Sequence, residues 1–308
     1  MPVPDFQSLM LPLLRIAADH KEHSLAEARD ALASHFSLTD AEREERLPSG
    51  RQFRFSNRVA WAKVYLQQAG LVQSSRRGYF ALTERGGDVL TQPPERIDIK
   101  FLSQYSQFQA FRTRQDPAPE TDKTPSSQSE EESPEEALET AYVKMSAGLA
   151  AEVLARVKSN SPQFFERLVV ELLVKMGYGG SRQDAGRAIG KSGDEGIDGI
   201  INEDRLGLGT IYIQAKRWNG SQSIGRPEIQ RFVGALQGKR AKKGVFITTS
   251  IFSPDAANYA EHIDPKVVLI DGRRLAELMI DFEVGVAAAR TYHVRRIDSD
   301  YFDETEEP

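Results

Sequence analysis

The chain has 308 residues, 40% hydrophobic and 28% charged, enough to bury a good core and to make two domains. It has no cysteine, which excludes disulfides, thiolate metal sites and cysteine nucleophiles and suits a reducing, cytoplasmic setting. The net charge of −5 is unevenly spread: residues 116–139 hold nine acids and one lysine, and residues 298–307 six acids and no base, which leaves +9 on the rest and permits a polyanionic partner.

Residues 6–19 and 24–36 carry apolar residues at three- and four-residue spacing and predict two helices. Asp5 interrupts the apolar N-terminal run and no stretch approaches the length of a membrane span, so no membrane partner is expected. After a polar stretch, FRFSNRVAWAKVYLQQAG (53–70) predicts a third helix that stops at Gly70. LVQSSRRGYFALT (71–83) has strand-forming residues on either side of Ser74–Gly78 and predicts a hairpin, with TERGGDVL a short helix or turn after it. Three helices and a basic-tipped hairpin fit a winged-helix module. Residues 97–111 have aromatics at 101, 105, 108 and 111, a helical stripe expected to pack back on this module.

Residues 112–136, RTRQDPAPETDKTPSSQSEEESPEE, are nearly free of apolar side chains and predict a disordered acidic linker. A helix resumes over 137–158, with Leu138, Tyr142, Met145, Leu149 and Val153 on one side. Core packing is the expected role of that side, and a dimer seam is the alternative. From Ser161 the pattern becomes helix–strand–strand–helix–strand–helix–strand–helix: a helix to about Met176, strands GIDGII and TIYIQAK, helix PEIQRFVGALQG, strand GVFITTS, Ser-capped helix SPDAANYAEHI, strand KVVLIDG and helix RRLAELMIDF. Such alternation predicts an α/β domain, a mixed and largely parallel sheet with helices on both faces. The expected organisation is a smaller α+β winged-helix domain at 1–111, a linker at 112–136, the α/β domain at 137–297 and an acidic tail at 298–308.

The chemistry centres on GKSGDEGIDG (190–199). A phosphate loop needs a glycine, four residues and then Gly-Lys-Ser, opening a helix. Here the preceding glycine, Gly186, stands one residue too close, and Lys191-Ser192 lead into a strand. Gly-x-Ser-x-Gly is also ruled out, because Asp194 stands where the last glycine belongs. The alternative is a strand that carries a metal-binding acid. Asp198 lies on GIDGII, and alternation on the next strand puts Tyr212, Gln214 and Lys216 on one face. A glutamine and a lysine directed into one half-buried space need partners, which a metal held against Asp198 provides. On the helix from Ser161, Glu166 falls at the border of the apolar face, open either to solvent or toward the strands, whereas Glu171 faces water.

FFERLVVELLVKMGYGG, GKSGDEGIDG, IYIQAKRW, KKGVFITTSIFSPDAANYA and VVLIDGRRLAELM together resemble the catalytic domain of the Mrr-type restriction endonucleases, a branch of the PD-(D/E)xK nucleases. The likeness spans roughly 137–285, and RFSNRVAWAKVYLQQAGL with RRGYFALT resembles the winged-helix domain that precedes it in that family. The resemblance implies a restriction-endonuclease-like fold and a DNA endonuclease acting on modified, typically methylated DNA. It implies that Asp198, Gln214 and Lys216 are catalytic, with Gln214 standing where the wider superfamily has an acid, and it matches Glu166 to the acid of the first helix. The implied metal site is Asp198, the Gln214 side-chain carbonyl and the Ala215 backbone carbonyl, hard oxygens suited to Mg²⁺, with Mn²⁺ substituting. Lys216 would orient or help deprotonate the attacking water.

Double-stranded DNA is the expected partner. In the winged helix, Arg51, Arg54, Asn57, Arg58 and Lys63 lie on or before the third helix, with Arg76 and Arg77 at the wing tip. Asn57 and Arg58 are the candidates for base-edge contacts. Arg226, Arg231 and Lys242 are candidate phosphate contacts of the α/β domain. One site per chain cuts one strand, so a dimer or higher homo-oligomer is expected during cutting. Two other readings stay open: a DNA-binding regulator with an inactive nuclease fold, and a repair or junction nuclease.

Overall fold

The structure, a computed structural model, describes residues 2–74, 76, 78–115, 131–179, 196–204, 206–218, 222–295 and 297. The chain divides into two units, residues 1–144 with 296–308, and residues 145–295.

In the first unit, Asp5 accepts the Gln7 and Ser8 amides in a turn that leads into α1 (Met10–Ile16), so the expected helix over 6–19 is shorter and ends in a 3-10 turn at Ala17–Asp19. A two-residue strand β1 (His23–Ser24) precedes α2 (Leu25–His35), which Ser24 starts with a capping box. A second capping box on Thr39 forms α3 (Asp40–Arg43) in a stretch expected to be irregular. The third predicted helix is α4 (Arg54–Gln68), and Gly70 closes it at a φ of 73°, a left-handed conformation that suits glycine. The hairpin is β2 (Val72–Gln73) with β3 (Tyr79–Leu82), and β3 also pairs with β1 to give the order β1-β3-β2. Then come α5 (Glu84–Thr91), α6 (Ile99–Leu102) and α7 (Ser106–Gln115).

The helix expected over 97–111 is therefore two helices. Between them the Ser103 hydroxyl donates to Ile99 O, and the Gln104 and Gln109 amides donate to Phe101 O and Ser103 O, side-chain bonds that compete with helix continuation. The aromatic stripe still packs back as expected: Phe108 is buried, with Phe101, Tyr105 and Phe111 against the same core of Phe6, Leu13, Phe55 and Phe80.

The next helix, α8 (Pro134–Ser159), starts earlier than expected, and α7 extends to Gln115. The linker expected over 112–136 is thus shorter at both ends, and residues 116–130 lie outside the described residues. Ser133 and Glu136 are buried in the first unit and Val153 and Val157 in the core of the second. Between them the predicted stripe is not core: Leu138, Tyr142, Met145 and Leu149 are 40–75% exposed. Periodicity made this stretch of α8 amphipathic, but neither core reaches it.

The second unit follows the predicted alternation with α9 (Pro162–Lys175), β4 (Gly199–Asn202), β5 (Thr210–Lys216), α10 (Arg226–Gly238), β6 (Lys243–Thr248), α11 (Pro254–Glu261), β7 (Lys266–Ile270) and α12 (Gly272–Asp281). The sheet order is β4-β5-β6-β7, with β4 antiparallel to β5 and the other pairs parallel. Ile211, Ile213, Val245 and Ile247 face α9, α12 and the end of α8. Phe246 and Tyr212 face α10 and α11 on the other side, as period-two alternation requires. The open end of this sheet, where β5 and β6 stop, carries the candidate site.

Candidate active site

Asp198 is the residue just before β4, one position short of the strand on which it was expected. Its backbone N–H donates to Ile213 O at 2.8 Å, and its Oδ2 accepts the Ala215 N–H at 2.8 Å. The β4–β5 ladder, which pairs Gly199 with Ile213, thus continues past the strand through a side chain and locks the carboxylate beside β5. Burial pushes the Asp198 carboxyl up from its ordinary range, opposed by the Ala215 amide and by Lys216. Glu166 on α9 is also pushed up, by burial first and then by the negative charge of Asp198, which places it within electrostatic reach of the site.

Gln214 and Lys216 leave β5 on the face toward α10, as the alternation predicts. The Gln214 side-chain oxygen is buried and has no hydrogen-bond partner among the described residues. Gly196, at a φ of 93°, closes over that amide: a Cβ there would lie 3.4 Å from Gln214 Nε2. Glycine therefore serves both the turn and the close approach. Residues 190–195, which hold the rest of the glycine-rich stretch, lie outside the described residues.

Lys216 Nζ bonds Glu228, an acid in the first turn of α10 that sequence reasoning missed. Glu228 also accepts Arg231 at 3.1 Å. Burial raises the Glu228 carboxyl, but its bonds and charge interactions with Lys216 and Arg231 outweigh burial and hold it below the ordinary range. Lys216 further lies 5.4 Å from the centroid of the Trp218 ring. The FITTS stretch at the end of β6 fixes this segment: Thr248 Oγ1 donates to Lys216 O at 2.8 Å, and Thr249 Oγ1 both accepts from Trp218 N–H and donates to Trp218 O.

Among the described residues, no three His, Asp or Glu side chains gather into a metal cluster. The donors available are one carboxylate, a vacant amide oxygen and backbone carbonyls.

The structure brings Asp198, Gln214, Ala215, Lys216 and Arg231 together, with Glu166 nearby. Of the other expected DNA contacts in this unit, Arg226 lies 3.6 Å from Asp255 and over the Tyr259 ring, and Lys242 is exposed. In the first unit Arg51 is exposed, Lys63 lies 3.4 Å from Ser74 at the base of the wing, and Arg76 lies over the Tyr79 ring. Arg77 is outside the described residues. Arg54 pairs with Glu45 and Glu136. Asn57 and Arg58 differ from expectation: both are bonded by side chains of residues 133–136, and Asn57 is 4% exposed.

Residues 157–279 match the restriction endonuclease catalytic family, and residues 6–92 match the Mrr N-terminal domain. The chain is 38% identical over 310 residues to the type IV methyl-directed restriction enzyme EcoKMrr of Escherichia coli strain K12, covering 98% of this chain and all of that protein. Among solved structures, the MspJI restriction endonuclease in complex with a 27-mer oligonucleotide matches 52% of this chain and 35% of its own, at 23% identity and a TM-score of 0.28. The DNA modification-dependent restriction endonuclease AspBHI matches 70% of this chain and 56% of its own, at 15% identity and a TM-score of 0.33. An identity of 38% along nearly the whole of both chains, with both domain families matched here, makes this chain a member of the Mrr family of restriction endonucleases.

Proposed function

We propose that this protein is a Mg²⁺-dependent endonuclease that hydrolyses phosphodiester bonds of methylated double-stranded DNA, with Asp198, Gln214 and Lys216 at its centre. The observation that carries the reading is the buried oxygen of Gln214, which has no hydrogen-bond partner among the described residues, next to Ala215, whose N–H holds the Asp198 carboxylate. A buried acceptor left vacant costs stability, about 1–3 kcal/mol, and a divalent ion on that oxygen would fill it. Methylated DNA as the substrate is carried over from the relative, which is named methyl-directed.

The donor set fits a hard cation: the Asp198 carboxylate, the Gln214 side-chain oxygen and the backbone carbonyl of Ala215 are all oxygens. When bound, the ion supplies a Lewis acid that offsets charge on the phosphate and acidifies a water. Asp198 is held for this role by the Ala215 N–H, which fixes one carboxylate oxygen. Lys216 brings a positive charge two residues along the same strand face, where it can meet the scissile phosphate and orient the attacking water. Glu228 acts on Lys216 as a positioning residue, and the Thr248 and Thr249 bonds stop the strand end from moving with it. Glu166, whose carboxyl is raised by burial and by the charge of Asp198, is the further acid at the border of the site.

One site per chain cuts one strand, so two chains acting together account for a duplex cut. The test is incubation of the purified protein with Mg²⁺ and plasmid prepared with or without base methylation. Cutting of methylated plasmid alone is the expected result. Equal cutting of both plasmids removes the modification requirement, binding without cutting leaves a DNA-binding protein, and cutting restricted to branched DNA makes it a junction nuclease.

A further inference from the structure

The N-terminal end of α4 is the part of a winged helix that enters the major groove. With Phe55 at the centre of the buried face and about 100° per residue, Asn57 falls about 200° away, on the outer side. An outward residue should be exposed, yet Asn57 is buried. Its cover is the start of α8. Ser133 Oγ donates to Asn57 Oδ1 at 2.6 Å, and Asn57 Nδ2 donates to Glu135 Oε2 at 2.5 Å. Glu136 lies 3.0 Å from Arg58 Nη2 and 3.3 Å from Arg54 Nε, and its side chain is 5% exposed. Beyond the helix start, Glu139 accepts from both the backbone N–H and the hydroxyl of Ser49, at 2.9 and 2.7 Å.

The donors taken by these carboxylates are guanidinium, amide, hydroxyl and backbone N–H groups. That is the set with which proteins hold the phosphates of DNA. The covering segment ends the most acidic run of the chain, nine acids and one lysine over 116–139. It is also tied to the same polypeptide, so its effective concentration at α4 is high. Ser133 and Glu136 bond each other reciprocally, amide to side chain in both directions, which gives the segment a formed helix start to dock.

We propose that the acidic start of α8 is an internal occupant of the DNA-binding face of α4, and that DNA binds there by displacing it. The inference rests on the reading of α4 as a DNA-facing helix. It assigns Glu135, Glu136 and Glu139 as stand-ins for phosphate, and it makes closed and open forms of the first unit two states that DNA selects between. Asn57 and Arg58 become reading residues in the open form alone.

The test uses the full chain and a fluorescent duplex. Glu135→Gln with Glu139→Gln loosens the cover while Glu136, the buried member, stays. The expected result is DNA binding about tenfold tighter than wild type. A control pair, Glu171→Gln with Glu261→Gln, removes the same charge from exposed positions of the second unit. If that pair tightens binding equally, general charge explains the gain and the proposal is overturned. Because the chain has no cysteine, Ser49→Cys with Glu139→Cys can be bridged by a short thiol-reactive linker. The bridged protein should lose affinity that Ser49→Cys alone, treated identically, keeps. Unchanged binding after bridging overturns the proposal. Arg51→Ala with Lys63→Ala separates the two readings: weaker binding in that variant keeps α4 as a DNA face whatever the cover does. No change there removes α4 from the interface, and the proposal with it.

Discussion

At the end of β5, Gln214 keeps a buried oxygen without a partner among the described residues, and Asp198 holds a carboxyl made harder to ionise by burial. At the start of α4, both ends of the Asn57 amide are bonded, and Arg58 is matched by Glu136. The two regions carry similar polar groups and treat them in opposite ways. A vacant buried acceptor costs about 1–3 kcal/mol, and a bound ion is one way in which that cost is recovered. At α4 the amide of Asn57 and the guanidinium of Arg58 are instead held by Ser133, Glu135 and Glu136, although Arg54 Nε there stays buried without a hydrogen bond among the described residues. The contrast rests on two amides: that of Asn57 is bonded at both ends, whereas the oxygen of Gln214 is bonded by none of the described residues.

The largest expected effects test the vacant site. Asp198→Ala or Lys216→Ala should lower cleavage by about a thousandfold or more, while DNA affinity stays within a few-fold because phosphate contacts elsewhere carry it. Cleavage is read on plasmid and affinity by anisotropy. Unchanged cutting in either variant breaks the comparison at once. Glu228→Gln should cost less, about tenfold in kcat with little change in KM, since it only loosens Lys216. A loss as deep as that of Lys216→Ala would move Glu228 from a positioning to a direct role.

A second pair sharpens the meaning of the vacancy. Gln214→Leu removes the unpartnered oxygen, so it should abolish Mg²⁺ or Mn²⁺ binding in calorimetry and stop cleavage, with thermal stability kept or raised. Gln214→Glu adds a charge at the same length and should tighten metal binding in the free protein. If Gln214→Leu cuts at the wild-type rate, the oxygen is not a ligand.

The smallest effect is a pH-dependent one. Because the folded-state pKa of Asp198 is raised, its ionisation destabilises the metal-free protein above that value. The penalty fades as pH falls through the raised folded value toward the ordinary 3.8. Asp198→Asn should therefore raise Tm by a few degrees at neutral pH, and the gain should vanish in acid. A gain that is constant with pH would mean that burial of Asp198 has no electrostatic cost.

Most of the second unit was legible in the sequence because strand alternation and capping residues act locally. Gln214 and Lys216 share a face by period two alone, and Ser161 and Ser253 announce α9 and α11 through their caps. Glu228 was not legible, since acids are common in first helical turns and its partner lies across a strand-to-helix crossover. The cover of Asn57 was hidden for a similar reason. It comes from a segment 76 residues away whose composition signals a tether, and only tertiary packing brings its end against Asn57. The division of 97–111 into α6 and α7 was missed because apolar periodicity does not register side chains that bond backbone carbonyls.

Among the described residues β4 is a four-residue edge strand that pairs with β5 alone, whereas β5 is flanked on both sides. Edge ladders are where native proteins open locally, without global unfolding. Fraying of β4 therefore takes Asp198 away from Gln214 while β5, β6 and β7 stay folded. A ligand that bridges the two residues staples the edge to the middle of the sheet. Amide hydrogen exchange at Asp198 and Ala215, whose protection depends on that edge, then reports occupancy of the site directly, before any bond in DNA is cut.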